Sequence, residues 1–226
     1  MIRSRRTGWL ITVFGVFWLA FDAPLQADPV VYASATRPAP GTGGGLHFTE
    51  TNFIGVKFQV DAATTTSAIG GYFYARDAGD SLVFGALVAL SGADDLPDSA
   101  DLSTPDVLGT TLISLNGTPA DRRGPLSHSL QPGTYAVVFG SGLFGATGNG
   151  IMVFSTPIGS PAYFFKDEFF PNFRQSHGAF SPTRMFVEGA PVPAPVPEPA
   201  SLLLVGTGVA CLGRLAWRSR RRNDQC

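Results

Sequence analysis

At 226 residues, with 15% charged and 12% aromatic side chains, 27 glycines and 18 prolines, the chain is too apolar for a disordered polymer and too rich in helix breakers for a helical bundle. Its net charge of −1 conceals a split. Arg3, Arg5 and Arg6 precede the first apolar run and Arg214, Arg218, Arg220, Arg221 and Arg222 crowd the last thirteen positions, so residues 28–196 hold eight basic against 14 acidic residues, 8 − 14 = −6. That balance argues against a nucleic-acid partner. With Cys211 and Cys226 as the two cysteines, the central region carries no disulfide and no thiolate metal site.

In chain order, residues 1–27 read as a secretory signal peptide. Three arginines form its positive start, 9–21 is a largely apolar run of 13, and Leu25 and Ala27 stand where a signal peptidase reads. As a helix that run spans roughly 20 Å, short of a bilayer core of about 30 Å. Cleavage before Asp28 is therefore expected, rather than a permanent span.

Residues 28–190 alternate with a period of two and show no helical stripe. Strands are expected at 54–60, 67–74, 81–90, 107–115, 126–130, 134–139, 162–165 and 184–188. In the first, Val56, Phe58 and Val60 share one face and Lys57 and Gln59 the other. The 81–90 segment is apolar on both faces, so it belongs in the interior of a sheet. Gln131-Pro132-Gly133 is a turn signal, Gly41 to Gly45 reads as a glycine-rich loop, and Ser103-Thr104-Pro105-Asp106 is suited to cap one helical turn. The fold class expected is all-β: a single jelly-roll-like or related β-sandwich.

Four groups of residues invite a chemical reading. Gly140-Ser141-Gly142-Leu143-Phe144-Gly145 spells GxGxxG after a strand, but the following Ala146-Thr147-Gly148-Asn149-Gly150 cannot sustain the helix that a dinucleotide site needs, so a loop is expected. Asp94, Asp95, Asp98, Asp101 and Asp106 offer hard oxygen ligands suited to Ca2+, at a spacing that fits no EF-hand; a solvated acidic loop is the simpler reading, and no cofactor or metal is expected. Tyr163, Phe169, Phe170 and Phe173 lie in an aromatic-rich segment beside Asp167, Glu168 and Asn172. Exposed rings there would stack on sugars; the plainer alternative has Tyr163 and Phe165 in the core and the other rings pinning a loop. His47, His128 and His177 have no metal-ligand spacing, and the adjacent Asp167 and Glu168 point to opposite faces of a strand, unlike the facing carboxylates of a glycosidase. No catalytic residue is assigned, and the protein is not expected to be an enzyme.

The C-terminal end has three parts. Residues 191–199 place proline at every second position, a stiff linker. Residues 200–217 are apolar but for small hydroxyl residues and Arg214, and as a transmembrane helix span about 27 Å. Residues 218–226 are a basic tail expected to stay cytoplasmic, with Trp217 at the interface and Arg214 close enough to the helix end to reach the headgroups. Val196-Pro197-Glu198-Pro199-Ala200-Ser201, an apolar helix and a terminal arginine cluster, in that order, resemble the PEP-CTERM sorting signal. The resemblance implies a Gram-negative bacterium that makes exopolysaccharide, and an exosortase, a membrane-embedded cysteine protease or transpeptidase, that removes the temporary anchor near Pro197-Glu198-Pro199. Residues 84–91 and 133–142 also resemble a recurrent ectodomain of such proteins, one without an established activity.

The function expected is that of a non-catalytic surface or extracellular-matrix protein associated with exopolysaccharide and biofilm. Exosortase and signal peptidase are its processing partners, and its contact with the membrane is transient. A carbohydrate-binding module is the alternative, and an extracellular hydrolase the third reading.

Overall fold

In a computed structural model, the described residues are 29–193 without 40, 43, 78, 80 and 177–181. The expected signal peptide, Pro197, Glu198, Pro199, the expected helix at 200–217, the five C-terminal arginines and His177 lie outside them.

Among the described residues there are thirteen strands and no helix: β1 (Val30–Ala33), β2 (Gly45–Phe48), β3 (Phe53–Val60), β4 (Thr64–Ala75), β5 (Ser81–Leu90), β6 (Val107–Leu115), β7 (Ala120–Pro125), β8 (Ser129–Leu130), β9 (Gly133–Gly140), β10 (Gly150–Val153), β11 (Ala162–Lys166), β12 (Arg174–Gln175) and β13 (Met185–Pro191). They form two antiparallel sheets. One runs β12-β11-β3-β9-β5-β6. The other is built around the twelve-residue β4. Along one edge of β4 lie β13, itself flanked by β1, and then β10, flanked by β2; along the other lie β7 and β8.

The alternation expected for 54–60 holds. Val56, Phe58 and Val60 point between the sheets, where they meet Ile69, Phe73, Val137, Phe139, Met152 and Val187 in one buried cluster. The opposite face of the same sheet is also covered. There Phe53, Phe84, Ala86, Val88, Val138 and Phe164 pack under Leu102, Ala146 and Phe173, which arrive from loops. This second cluster explains why β5 is apolar on both faces, and β5 lies between β9 and β6 as an interior strand. Lys57, expected on a polar face, is only 5% exposed. Its ammonium reaches across that face and donates to the carbonyls of Ala93 at 2.6 Å and Asp95 at 3.2 Å, as a buried cation must.

The structure corrects several expectations. The strand expected at 126–130 is replaced by β7 and the two-residue β8. Between them Leu126 N–H donates to Ser67, and His128 accepts from the Thr66 amide, so β4 binds this chain irregularly. No helical turn forms at Ser103–Asp106; Val107 N–H closes onto the Thr104 carbonyl at 3.1 Å in a tight turn, and the Ser103 amide donates to Ser99 and Asp101 side chains. Gly45, read as part of a loop, opens β2 opposite Val153. The last strand runs through Pro191, opposite Thr64, and the Val192 amide adds a 2.8 Å bond to Ala63.

Candidate functional site

β11 carries the first rings of the aromatic segment into register with β3: Tyr163 opposite Val56, Phe164 opposite Gly55 and Phe165 opposite Ile54. Glycine at position 55 decides which ring is buried. A Cβ there would collide with the Phe164 ring, so the hollow it leaves takes Phe164, fully buried and edge-on to Phe173 at 5.4 Å. Phe165, expected inside, is only half-buried. Tyr163 packs against the inter-sheet cluster, as expected, with its hydroxyl donating to the Thr183 carbonyl at 2.8 Å.

The four candidate sugar-stacking residues therefore divide. Tyr163 and Phe173 serve packing, the latter only 8% exposed, whereas Phe169 at 77% and Phe170 at 42% stand in solvent. One carboxylate oxygen of Asp167 accepts the amides of Phe169 at 3.0 Å and Phe170 at 2.8 Å, and the resulting turn throws both rings outward. The Arg174 guanidinium lies 3.9 Å from the Phe170 centroid, a cation–π contact that occupies one face of that ring. Phe169 is the more available platform. Lys166, under the same loop, sits 4.1 Å from the Phe53 centroid, and burial lowers its pKa.

The glycine-rich 140–145 segment is a turn. Gly142 and Gly145 adopt positive φ of 76° and 85°, as does Phe144 at 55°. The Gly142 amide bonds to Ala146 and the Ala146 amide to Leu143, both at 2.9 Å. No helix follows to meet a phosphate. Phe144, 41% exposed, stacks edge-on against Phe84 at 5.4 Å.

In the acidic loop the carboxylates hold backbone. Asp95 accepts the Ser91 hydroxyl at 2.6 Å and amide at 2.8 Å, and the Leu96 amide at 2.9 Å. Those bonds, the Ser91 hydroxyl first, hold its pKa below the usual carboxylate value. Asp101 is lowered likewise, chiefly by the Ser103 hydroxyl, and Asp106 accepts the Asp98 amide at 3.0 Å. Among the described residues no group of three or more His, Cys, Asp or Glu is placed to hold a metal ion.

No sequence pattern signals the open cleft of about 320 Å³ where the two sheets meet. Tyr32, Phe58, Gln59, Thr134 and Ser160 are among its lining residues. Tyr32 stacks on Phe58 at 5.1 Å, and its hydroxyl is buried without a partner. That burial raises the Tyr32 pKa, with Tyr163 adding to the effect. Tyr32 lies in a four-residue strand, too short to signal its place. The cleft depends on the approach of distant segments, which no local pattern records.

The first and last strands of the described region lie together. Val30 is opposite Glu188, and the Gly189 amide bonds to the Pro29 carbonyl at 3.1 Å. Arg123 clasps both oxygens of Glu188 at 2.8 and 2.9 Å, while Arg184 holds Asp121 at 3.0 Å and the Ala35 carbonyl at 2.8 Å. Among the described residues no helix is long and apolar enough to cross a membrane.

Comparison with known families matches residues 195–222 to the PEP-CTERM protein-sorting motif. The match takes in the tripeptide, the expected helix and all five C-terminal arginines. None of the curated proteins compared matches the chain.

Proposed function

We propose, from the premise that residues 195–222 are a PEP-CTERM protein-sorting motif, that this is an exported protein delivered by an exosortase to the bacterial cell surface or extracellular matrix. There it associates with exopolysaccharide and contributes to biofilm without catalysis of its own. The motif carries the reading. Signal peptidase frees the N-terminus, the 200–217 helix holds the chain with its arginines inside, and exosortase acts near Pro197-Glu198-Pro199. The all-β domain, which we read as a jelly-roll-like sandwich, is the cargo. The deciding experiment fractionates the native host with and without its exosortase and determines the mature C-terminus by mass spectrometry. The residues after Ala200 are expected to be lost only when exosortase is present. Finding them retained on the mature protein in cells with active exosortase would refute the proposal.

The exposure of Phe169 and Phe170 favours a second reading, a carbohydrate-binding module that stacks sugar rings on this loop. It predicts retention on the host's own polysaccharide, weakened by Phe169→Ala or Phe170→Ala. Absence of retention across a broad polysaccharide panel would leave the structural role.

A further inference from the structure

The cleft beside Tyr32 opens where one strand stops short of its neighbour's end. The Tyr163 carbonyl accepts the Ser176 amide on the β12 side, so by alternation the main-chain groups of Ala162 and Phe164 face β3, opposite Lys57 and Gly55. The next residue of β3 to point the same way is Gln59. β11 does not reach it, because β11 begins at Ala162 and the preceding Pro161 has no N–H to offer. Among the described residues the Gln59 amide and carbonyl find no partner on that side, and Gln59 lines the cleft.

The lining decides the ligand class. Tyr32, Phe58, Pro161 and the half-exposed Ile158 are apolar walls. The side chains of Gln59, Thr134 and Ser160 add neutral donors and acceptors that bond to nothing else among the described residues. No described lining residue is acidic, and the one cation, Lys57, already gives its ammonium to the Ala93 and Asp95 carbonyls. The exposed Asp61 and Asp94 stand within two residues of the lining positions Gln59 and Ala93, so an anion is repelled. An added peptide strand finds little ladder, since β3 ends at Val60, the residue after Gln59. What fits is a small uncharged molecule with apolar faces and a rim of hydroxyls, in a volume at the lower end of small-molecule sites.

We infer that this cleft is a saccharide-binding site that takes a short stretch of uncharged glycan. The Gln59 main chain and the Gln59, Thr134 and Ser160 side chains bond its hydroxyls, and the apolar walls meet its C–H faces. The site is distinct from the Phe169–Phe170 turn, which follows Lys166 and so lies toward Phe53, at the other end of β3. It goes beyond the reading of that turn and does not depend on it, nor on the sorting route.

The domain's lack of cysteine permits a direct test. Ala93 lines the cleft and is exposed. Full-length chain with Cys211→Ser, Cys226→Ser and Ala93→Cys, in a sugar-free zwitterionic detergent, is alkylated with a maleimide in the presence of cellotetraose, maltotetraose or mannotetraose, with tetragalacturonate as the anionic control. Several-fold slower alkylation with at least one neutral tetrasaccharide is expected, with little change from tetragalacturonate. Gln59→Ala or Thr134→Ala should remove most of that protection and Phe169→Ala none of it. Titration calorimetry of the unaltered chain with the same sugars provides a second measure. No binding of any neutral tetrasaccharide by either measure overturns the site. Protection by tetragalacturonate as strong as by any neutral sugar overturns the ligand class. Protection of a Glu168→Cys reporter without protection at position 93 overturns the cleft and leaves the reading of the aromatic turn standing.

Discussion

The two faces of the six-stranded sheet are both dry, but they are dried by different means. Its inner face meets a second sheet, so its ring contacts, such as Phe73 with Phe139 at 5.0 Å, are held by ladders of backbone bonds on both sides. Its outer face is covered by loops whose grip comes from single side chains: Phe173 and Leu102 pressing down, the Lys57 ammonium on two carbonyls, Asp95 on the Ser91 and Leu96 amides. A sheet can therefore be buried on both sides without a third layer, but the loop-covered side depends on chemistry that ladders do not need. That difference predicts that the outer cluster yields first.

The largest test removes a ring from the ladder-held side. Phe139→Ala deletes a fully buried side chain, with an expected loss of about 3–5 kcal/mol in urea unfolding. A loss no larger than those expected for the outer-face changes below would erase the distinction. Next is Gly55→Ala, whose added methyl displaces Phe164. Overpacking of this kind costs about 1–3 kcal/mol, and hydrogen exchange should rise first in 167–176 while the β4 amides remain protected. Acid probes the loop more gently. Because the Asp95 carboxyl titrates below its ordinary value, its stabilising bonds are intact above that value and disappear as pH falls through the lowered one. Asp95→Asn should therefore be less stable at neutral pH, and its unfolding midpoint should decline less between pH 5 and pH 2 (on the order of one ordinary carboxylate titration range). The smallest effect belongs to Phe169→Ala. An exposed ring contributes little to packing, so stability should stay within about 0.5 kcal/mol, while retention on polysaccharide falls if the ring is a binding platform.

Much of the ladder-held architecture was legible because it rests on local alternation. The Val56-Phe58-Val60 face and the two-sided apolarity of β5 follow from residue order alone. The cover on the outer face was not legible, because loops bury side chains through long-range register. Phe164 was passed over for Phe165 because the deciding residue, Gly55, lies more than a hundred positions away. β7 has no local signal because Asp121-Arg122-Arg123 lacks apolar alternation, and its charges are paired only from across the sheet, by Arg184 and Glu188. Of the site, the sorting tail could be read directly because its three parts are contiguous; which rings turn outward could not, since that depends on the Asp167 carboxylate capturing the Phe169 and Phe170 amides. The Tyr32 cleft could not, since it exists only once β1 and β3 approach.

The position of β13 also sets a clock. This strand lies between β1 and β4, yet it is the last of the thirteen to be synthesised. On the export route proposed above, a nascent domain leaving a translocation channel carries an open seam between its first and fourth strands until nearly the whole chain has crossed. Closure then falls within a few residues of the arrival of the sorting tail at the channel. On the proposed route, cargo completion and anchoring become almost simultaneous, which leaves little time for a half-built, sticky sheet edge to wander from the membrane.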